Sequence, residues 1–302
     1  MIRHLTLLAL LGCTGSTPTE TGTADTAAPG LGDVTLDPQD PGTADVITAH
    51  YTPPEGAEVR WQWFVDNVLD ETQTTAIVAP DATARGQVWR VVVTPLDGQT
   101  PIGEPHSAKV TIANTAPAVV SLTLTEAPTV VSGVEATTEI DDPDGDAVTL
   151  SYAWSIDGRV DVSYQGPTLP AGAAARDAQV QVTVTPSDGD LAGEPAQAGV
   201  TLGNTPPSLA GATLSSEDPT PPAGTVTVVP SGWYDADGDA EGYSYRWHVN
   251  GAPVFDVKIT DTFPLLGHAP GEVIYCEVTP TDGIDEGEPV LSDSLIVQEG
   301  SP

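Results

Sequence analysis

Two short segments carry three aspartates each at alternating positions: Asp142-Pro143-Asp144-Gly145-Asp146 and Asp235-Ala236-Asp237-Gly238-Asp239. Carboxylates at i, i+2 and i+4 around a tight glycine turn can direct several oxygens to one point, and hard oxygen donors of that kind are what calcium takes. Neither segment is an EF-hand. Position six is Ala147 or Ala240 where that loop needs glycine, and position twelve is Ala153 or Arg246 where it needs glutamate. A plainer reading stands beside the metal: Asp and Gly are good turn residues, and the carboxylates can bond their own backbone. Other chemistry is sparse. His4, His50, His106, His248 and His268 share no repeat position and have no zinc-ligand spacing. There is no Gly-x-Ser-x-Gly elbow, no phosphate-cradling glycine loop and no Cys-x-x-Cys pair, so a non-catalytic protein is expected.

The elements that position these loops are set by an internal repeat. Each acidic segment ends eight residues before a tryptophan, Trp154 or Trp247, and Trp63 is a third member of the series, with spacings of 91 and 93 residues. The three tryptophans open Trp63-Phe64-Val65-Asp66-Asn67, Trp154-Ser155-Ile156-Asp157-Gly158 and Trp247-His248-Val249-Asn250-Gly251. Downstream come Val93-Thr94-Pro95-Leu96-Asp97-Gly98, Val184-Thr185-Pro186-Ser187-Asp188-Gly189 and Val278-Thr279-Pro280-Thr281-Asp282-Gly283, then Gly-Glu-Pro at 103, 193 and 287. Two junctions match as well, Asn114-Thr115-Ala116-Pro117 and Asn204-Thr205-Pro206-Pro207. The repeats are placed at 31–113, 114–203 and 204–298.

Within each repeat the period is two, the mark of half-buried strands. Trp89, Val91 and Val93 face one way, as do Val180, Val182, Val184 and Ile274, Cys276, Val278, while Arg90, Thr94, Gln181, Thr183, Tyr275 and Glu277 face the other. Each repeat has room for about seven short strands between Gly, Pro and Asp clusters, which predicts an all-β chain of three tandem immunoglobulin-like β-sandwiches. The repeated tryptophan is read as the core pin of its unit, facing the strand just named. Cys276, aligned with Val91 and Val182, is read as a buried thiol and not a nucleophile.

In such a sandwich the chain enters its first strand at the pole that carries the acidic loop and the Asp-Gly turn. For the second repeat this gathers Asn114, the loop Asp142 to Asp146, and Asp188 with Asp190. For the third it gathers Asn204, the loop Asp235 to Asp239 with Glu241, and Asp282 with Asp285. The first repeat carries Tyr51, Pro53 and Glu55 at the loop positions. The metal candidates are therefore Asp142, Asp144, Asp146 and Asp188, and Asp235, Asp237, Asp239 and Asp282, with calcium stiffening the two inter-repeat junctions.

The chain has 302 residues with 9 Lys plus Arg against 43 Asp plus Glu, a formal net charge of -34. That balance repels phosphate backbones, so no nucleic-acid partner is expected. With only two cysteines, Cys13 and Cys276, there is no disulfide framework, and stability must come from apolar cores. Met1-Ile2-Arg3-His4, the apolar run Leu5 to Leu11, and Leu10-Leu11-Gly12-Cys13 resemble a bacterial lipobox. The resemblance implies a signal peptide over 1–12, a lipid anchor on Cys13, and, with Thr14 following, an outer-membrane lipoprotein of the cell envelope. Residues 13–30 are Thr, Ser, Pro, Gly, Ala and acid apart from Cys13, too poor in apolar groups to fold, and read as a disordered tether.

The tryptophan strands, the Asp-rich loops before them, the Val-Thr-Pro-x-Asp-Gly turns and the Asn-Thr-x-Pro junctions resemble the PKD and cadherin-like tandem repeats of bacterial surface proteins, over about 31–298. That resemblance implies stalks, spacers or adhesive modules of the cell surface, sometimes stiffened by calcium. The alternative is a module that binds polysaccharide or another cell-surface protein through variable loops, Val68 to Ala84 or Phe255 to Gly267.

Overall fold

Apolar and polar residues alternate along Val88–Asp97, Gln179–Ser187 and Val273–Thr281, and in the computed structural model each is a long strand with alternate side chains buried, except that Thr94, expected on the outer face, is buried between Val93 and Pro95. The structure describes residues 32–255 and 260–299; the signal segment, Cys13 and the tether lie outside them. Each long strand pairs antiparallel with the tryptophan strand, Glu58–Val65, Thr149–Ile156 or Gly242–Val249. The register sets Trp63 opposite Val91, Trp154 opposite Val182 and Trp247 opposite Cys276, so the alignment made from the repeats is the alignment of the strands.

Each tryptophan strand turns back through two residues into a short edge strand, and both turn residues lie at positive φ: Asp66 and Asn67, Asp157 and Gly158, Asn250 and Gly251. That is the two-residue hairpin whose twist matches the strands, and Asn, Asp and Gly tolerate it best. The first turn residue has a second task. The side-chain oxygen of Asp66, Asp157 or Asn250 accepts the backbone N–H of Val88, Gln179 or Val273, at 3.0, 2.9 and 3.0 Å. One short polar side chain thus fixes both the hairpin and the start of the long strand beside it.

A second, three-stranded sheet faces each of these. Its strands are Val34–Asp37, Ile47–Tyr51 and Ile77–Val78 in the first repeat, Ala118–Leu124, Val134–Asp141 and Thr168–Leu169 in the second, and Ser208–Ser215, Thr225–Tyr234 and Thr262–Pro264 in the third. Contacts divide the chain into two compact units, 1–113 with one sandwich and 114–302 with two. The all-β sandwich class read from the sequence is what the chain adopts. Among the described residues the only helical segment is the short 3-10 turn Pro80–Ala82.

Each of the three cores is its own cluster around one indole, with Trp63 and Trp154 fully buried and Trp247 nearly so. The indole N–H is satisfied the same way each time, donating to the carbonyl oxygen of Thr75, Gly166 or Thr260 at 2.8, 2.9 and 2.9 Å. Trp89 adds an edge-on contact to Trp63 at 6.1 Å between ring centroids. The Gly-Glu-Pro motif has a packing cause at two of its three positions. A Cβ on Gly193 or Gly287 would sit 1.8 Å from the carbonyl oxygen of Pro117 or Pro207, so the junction proline and this glycine are in backbone contact that no other residue allows.

Truncating Trp154→Ala is expected to destabilise the 114–302 unit by about 3–5 kcal/mol, and Trp154→Phe by less; urea unfolding curves measure both. Burial pushes the Cys276 thiol up to about 12, so iodoacetamide should label it only under denaturing conditions.

Candidate functional site

The central strand of the three-stranded sheet ends at Asp141 in the second repeat and at Tyr234 in the third, and the acidic loop begins at the next residue. The first aspartate folds the loop onto itself. Asp142 Oδ1 accepts the N–H groups of Asp144 and Asp146, at 2.9 and 3.2 Å. Asp235 Oδ1 accepts those of Asp237, Gly238 and Asp239, at 2.9, 2.7 and 3.0 Å. Gly145 and Gly238 take φ of +74° and +81°, the left-handed conformation that closes each turn. The result brings one carboxylate oxygen from each of Asp142, Asp144 and Asp146 within 4.8 Å of the others, and likewise for Asp235, Asp237 and Asp239.

The middle aspartate reaches out to the chain entering the repeat. Asp144 Oδ2 accepts the Thr115 N–H at 2.7 Å, and Asp237 Oδ2 accepts the Thr205 N–H at 2.6 Å. The neighbouring asparagine is held from the other side. Asn114 Nδ2 donates to Asp188 Oδ2 at 2.7 Å, and Asn204 Nδ2 donates to Asp282 Oδ2 and Asp285 Oδ2 at 2.7 and 3.0 Å. The other oxygen of Asp188 accepts two N–H groups of its own turn, from Asp190 and Leu191, and that of Asp282 accepts those of Ile284 and Asp285. Of the eight aspartates named from the sequence, six therefore form two triads. Asp188 and Asp282 instead orient an asparagine. Glu241, expected with the third-repeat loop, takes a hydrogen bond from the Tyr243 hydroxyl. Burial, then Glu241, raises the Tyr243 pKa.

Several oxygens in these clusters are buried and unpaired. They are Asp142 Oδ2 and Asn114 Oδ1 in the second repeat, and Asp235 Oδ2, Asp237 Oδ1 and Thr205 Oγ1 in the third. A buried acceptor without a donor is destabilising by about 1–3 kcal/mol. A hard cation could satisfy such oxygens, and the donor chemistry fits calcium. At Asp282, burial pulls the carboxyl up, but the Asn204 amide and the turn N–H groups outweigh it and hold the pKa below the usual carboxylate value.

One participant has no place in the sequence reading. Arg176, in the turn before the strand Gln179–Ser187 of the second repeat, reaches the loop of the third. Its Nη1 donates to Asn204 Oδ1 at 2.8 Å and to Asp239 Oδ2, and its Nη2 donates to Asp239 Oδ1 at 3.1 Å. The Asp239 hydrogen bond raises the arginine pKa further. A signal existed: Ala84-Arg85-Gly86 and Ala175-Arg176-Asp177 occupy the same turn in successive repeats, in a chain with only 9 Lys plus Arg. Aligning cations as well as aspartates would have exposed it.

No family model matches the chain, and no curated protein matches it. Solved structures of tandem domains do. The FN1–FN3 domains of chicken CNTN1 are 12% identical with a TM-score of 0.33, covering 88% of this chain and 98% of that one. The three N-terminal domains of the bacteriophage RB49 highly immunogenic outer capsid protein are 17% identical at a TM-score of 0.29, covering 89% and 95%. A run of titin domains is 11% identical at 0.36, covering 88% and 99%. Likeness at these scores carries no weight for function, and the sandwich architecture rests on the strand order and cores described above.

Replacing Asp237→Ala strands the buried Thr205 N–H and is expected to lower the stability of the 114–302 unit by about 1–3 kcal/mol, with Asp237→Asn milder; calorimetry reads both. Because folding lowers the Asp282 pKa, its stabilisation is complete above the ordinary carboxylate range and is lost as pH falls through it. Melting midpoints taken from neutral pH to below about pH 4 should therefore fall more steeply in the parent than in Asp282→Asn.

Proposed function

We propose that the chain is a non-catalytic, lipid-moored envelope or surface protein in which tandem sandwiches act as a stalk, spacer or adhesive module, with calcium stiffening the inter-repeat junctions at the acidic loops. The observation that carries this reading is where the polar chemistry sits. The acidic loops bond to the residues that lead into the second and third repeats, Thr115 and Thr205, and Asp188 and Asp282 clamp the adjacent asparagines. Chemistry concentrated there serves to hold the entering chain. Its donors are oxygens of Asp, Asn and Thr, the hard ligand type that calcium takes. Calcium would be held in the second repeat by Asp142 and Asn114 with the rest of the triad, and in the third by Asp235, Asp237 and Thr205; it would supply positive charge to oxygens that have no hydrogen-bond donor. The anchor rests on the lipobox-like run ending at Cys13.

A second reading, ligand binding through variable loops, has its own support. A groove of about 310 Å³ in the third repeat is lined by Tyr245, Arg246, Phe255 and Glu277, with Phe255 82% exposed at the start of one loop singled out in the sequence. A groove of about 420 Å³ in the first repeat, lined by Trp61, Leu69, Gln73 and Thr74, adjoins the other.

Melting the protein with calcium and then with chelator tests the metal: the midpoint should rise with calcium, and an unchanged midpoint with Asp144→Asn also silent rejects it. Cys13→Ser should abolish palmitate incorporation and move the protein out of the detergent phase; retention of both discards the anchor. A glycan-array signal lost in Phe255→Ala would favour the second reading over the spacer.

A further inference from the structure

We infer that Arg176 is the resident counter-ion of the Asp235–Asp239 loop and joins the second and third repeats without metal, an inference that deepens the junction reading proposed above and rests on it for its biological sense. Three carboxylates within 4.8 Å of one another repel, and positive charge beside them offsets that repulsion. The guanidinium supplies that charge from the preceding repeat. Its two terminal nitrogens engage both oxygens of Asp239, a fork geometry that matches a carboxylate and that an ammonium group cannot copy. Nη1 also bonds Asn204 Oδ1, while the same asparagine amide is held by Asp282 and Asp285, so Arg176 enters a network already fixed to the third repeat.

Comparison of the two loops supports the assignment. The amide oxygen of Asn114 is buried without a hydrogen-bond partner, whereas the equivalent oxygen of Asn204 is satisfied by Arg176. The position of Arg176 in its turn is held by Arg85 in the first repeat and by Pro270 in the third, as the matching turn bonds Gln87 to Ala84, Ala178 to Ala175 and Glu272 to Ala269 show. Both Arg176 and Asp239 are about one-quarter exposed or less, which shields the pair from the screening that makes open surface ion pairs weak. The contact from Arg176 to Asp177, at 3.7 Å with an 85% exposed carboxylate, adds little by the same reasoning. A divalent ion that used Asp239 would have to displace the guanidinium, so calcium binds this loop more weakly while Arg176 is present.

The test uses the full chain carrying Asp144→Asn, which impairs the other loop, and compares Arg176 with Arg176→Gln, Arg176→Lys, Asp239→Asn and the Arg176→Gln, Asp239→Asn pair. In chelator, Arg176→Gln should lower the midpoint of the 114–302 unit by about 2–4 °C, Arg176→Lys by less, and Asp239→Asn should add nothing to Arg176→Gln. On adding calcium, Arg176→Gln should show a larger rise in midpoint than its parent. An unchanged chelator midpoint in Arg176→Gln, simple addition of the two single losses, or a rise with calcium that is equally large in parent and variant would overturn the inference. If the chelator results hold while calcium moves none of these proteins, Arg176 stands as the counter-ion and calcium at this loop falls, so the two ideas fail separately.

Discussion

Each sandwich depends on an indole that must be buried completely and still find an acceptor for its N–H. Trp63, Trp154 and Trp247 meet both demands by standing on a strand opposite Val91, Val182 or Cys276 and donating to a carbonyl 12 or 13 residues further along the chain. That hydrogen bond ties the connection after the edge strand to the core, so the other sheet is brought into place by the same side chain that fills the space between the sheets. A buried polar group left unpaired would offset much of what the burial of such a large ring contributes.

Once the two sheets are fixed, the polar end of the second and third repeats follows. The central strand of the three-stranded sheet delivers its acidic loop beside the entering Asn-Thr pair, and the long strand of the other sheet delivers Asp188 or Asp282 to the opposite side. The aspartates divide the work by position. The first in each loop bonds its own turn, the second takes an N–H from the entering chain, and in the third repeat the last, Asp239, meets Arg176. The turn-residue and ligand readings of these loops are thus not exclusive, since one carboxylate oxygen can close the turn while its partner stays unpaired.

The strongly acidic composition gives this arrangement its weight. With 43 acidic residues against 9 Lys plus Arg, a cation placed beside a carboxylate cluster is scarce, and Arg176 lies where three carboxylates converge. Long-range self-repulsion keeps such a chain soluble, but it is screened within about a Debye length, roughly 8 Å at physiological salt. Attraction at the loop is short-ranged and partly buried, which is why it persists against the overall charge.

The sequence by itself determined the strand period, the repeat, the alignment of Val91, Val182 and Cys276 across the repeats, the two acidic triads and the buried state of Cys276, because each of these is carried by a local pattern or by a copy of one. Asp66, Asp157 and Asn250 were legible as turn residues, yet their bond to the start of the long strand was not, since it joins positions 22 or 23 residues apart. Only the tertiary structure decided that Asp188 and Asp282 would hold asparagines while the loops kept unpaired oxygens, that Gly193 and Gly287 lie against proline carbonyls, and that Arg176 would meet Asp239. The physical reason is that hydrogen bonds and ion pairs depend on distances of a few tenths of an ångström between elements far apart in the chain, which residue order does not encode locally, whereas burial alternates along a strand whatever it packs against.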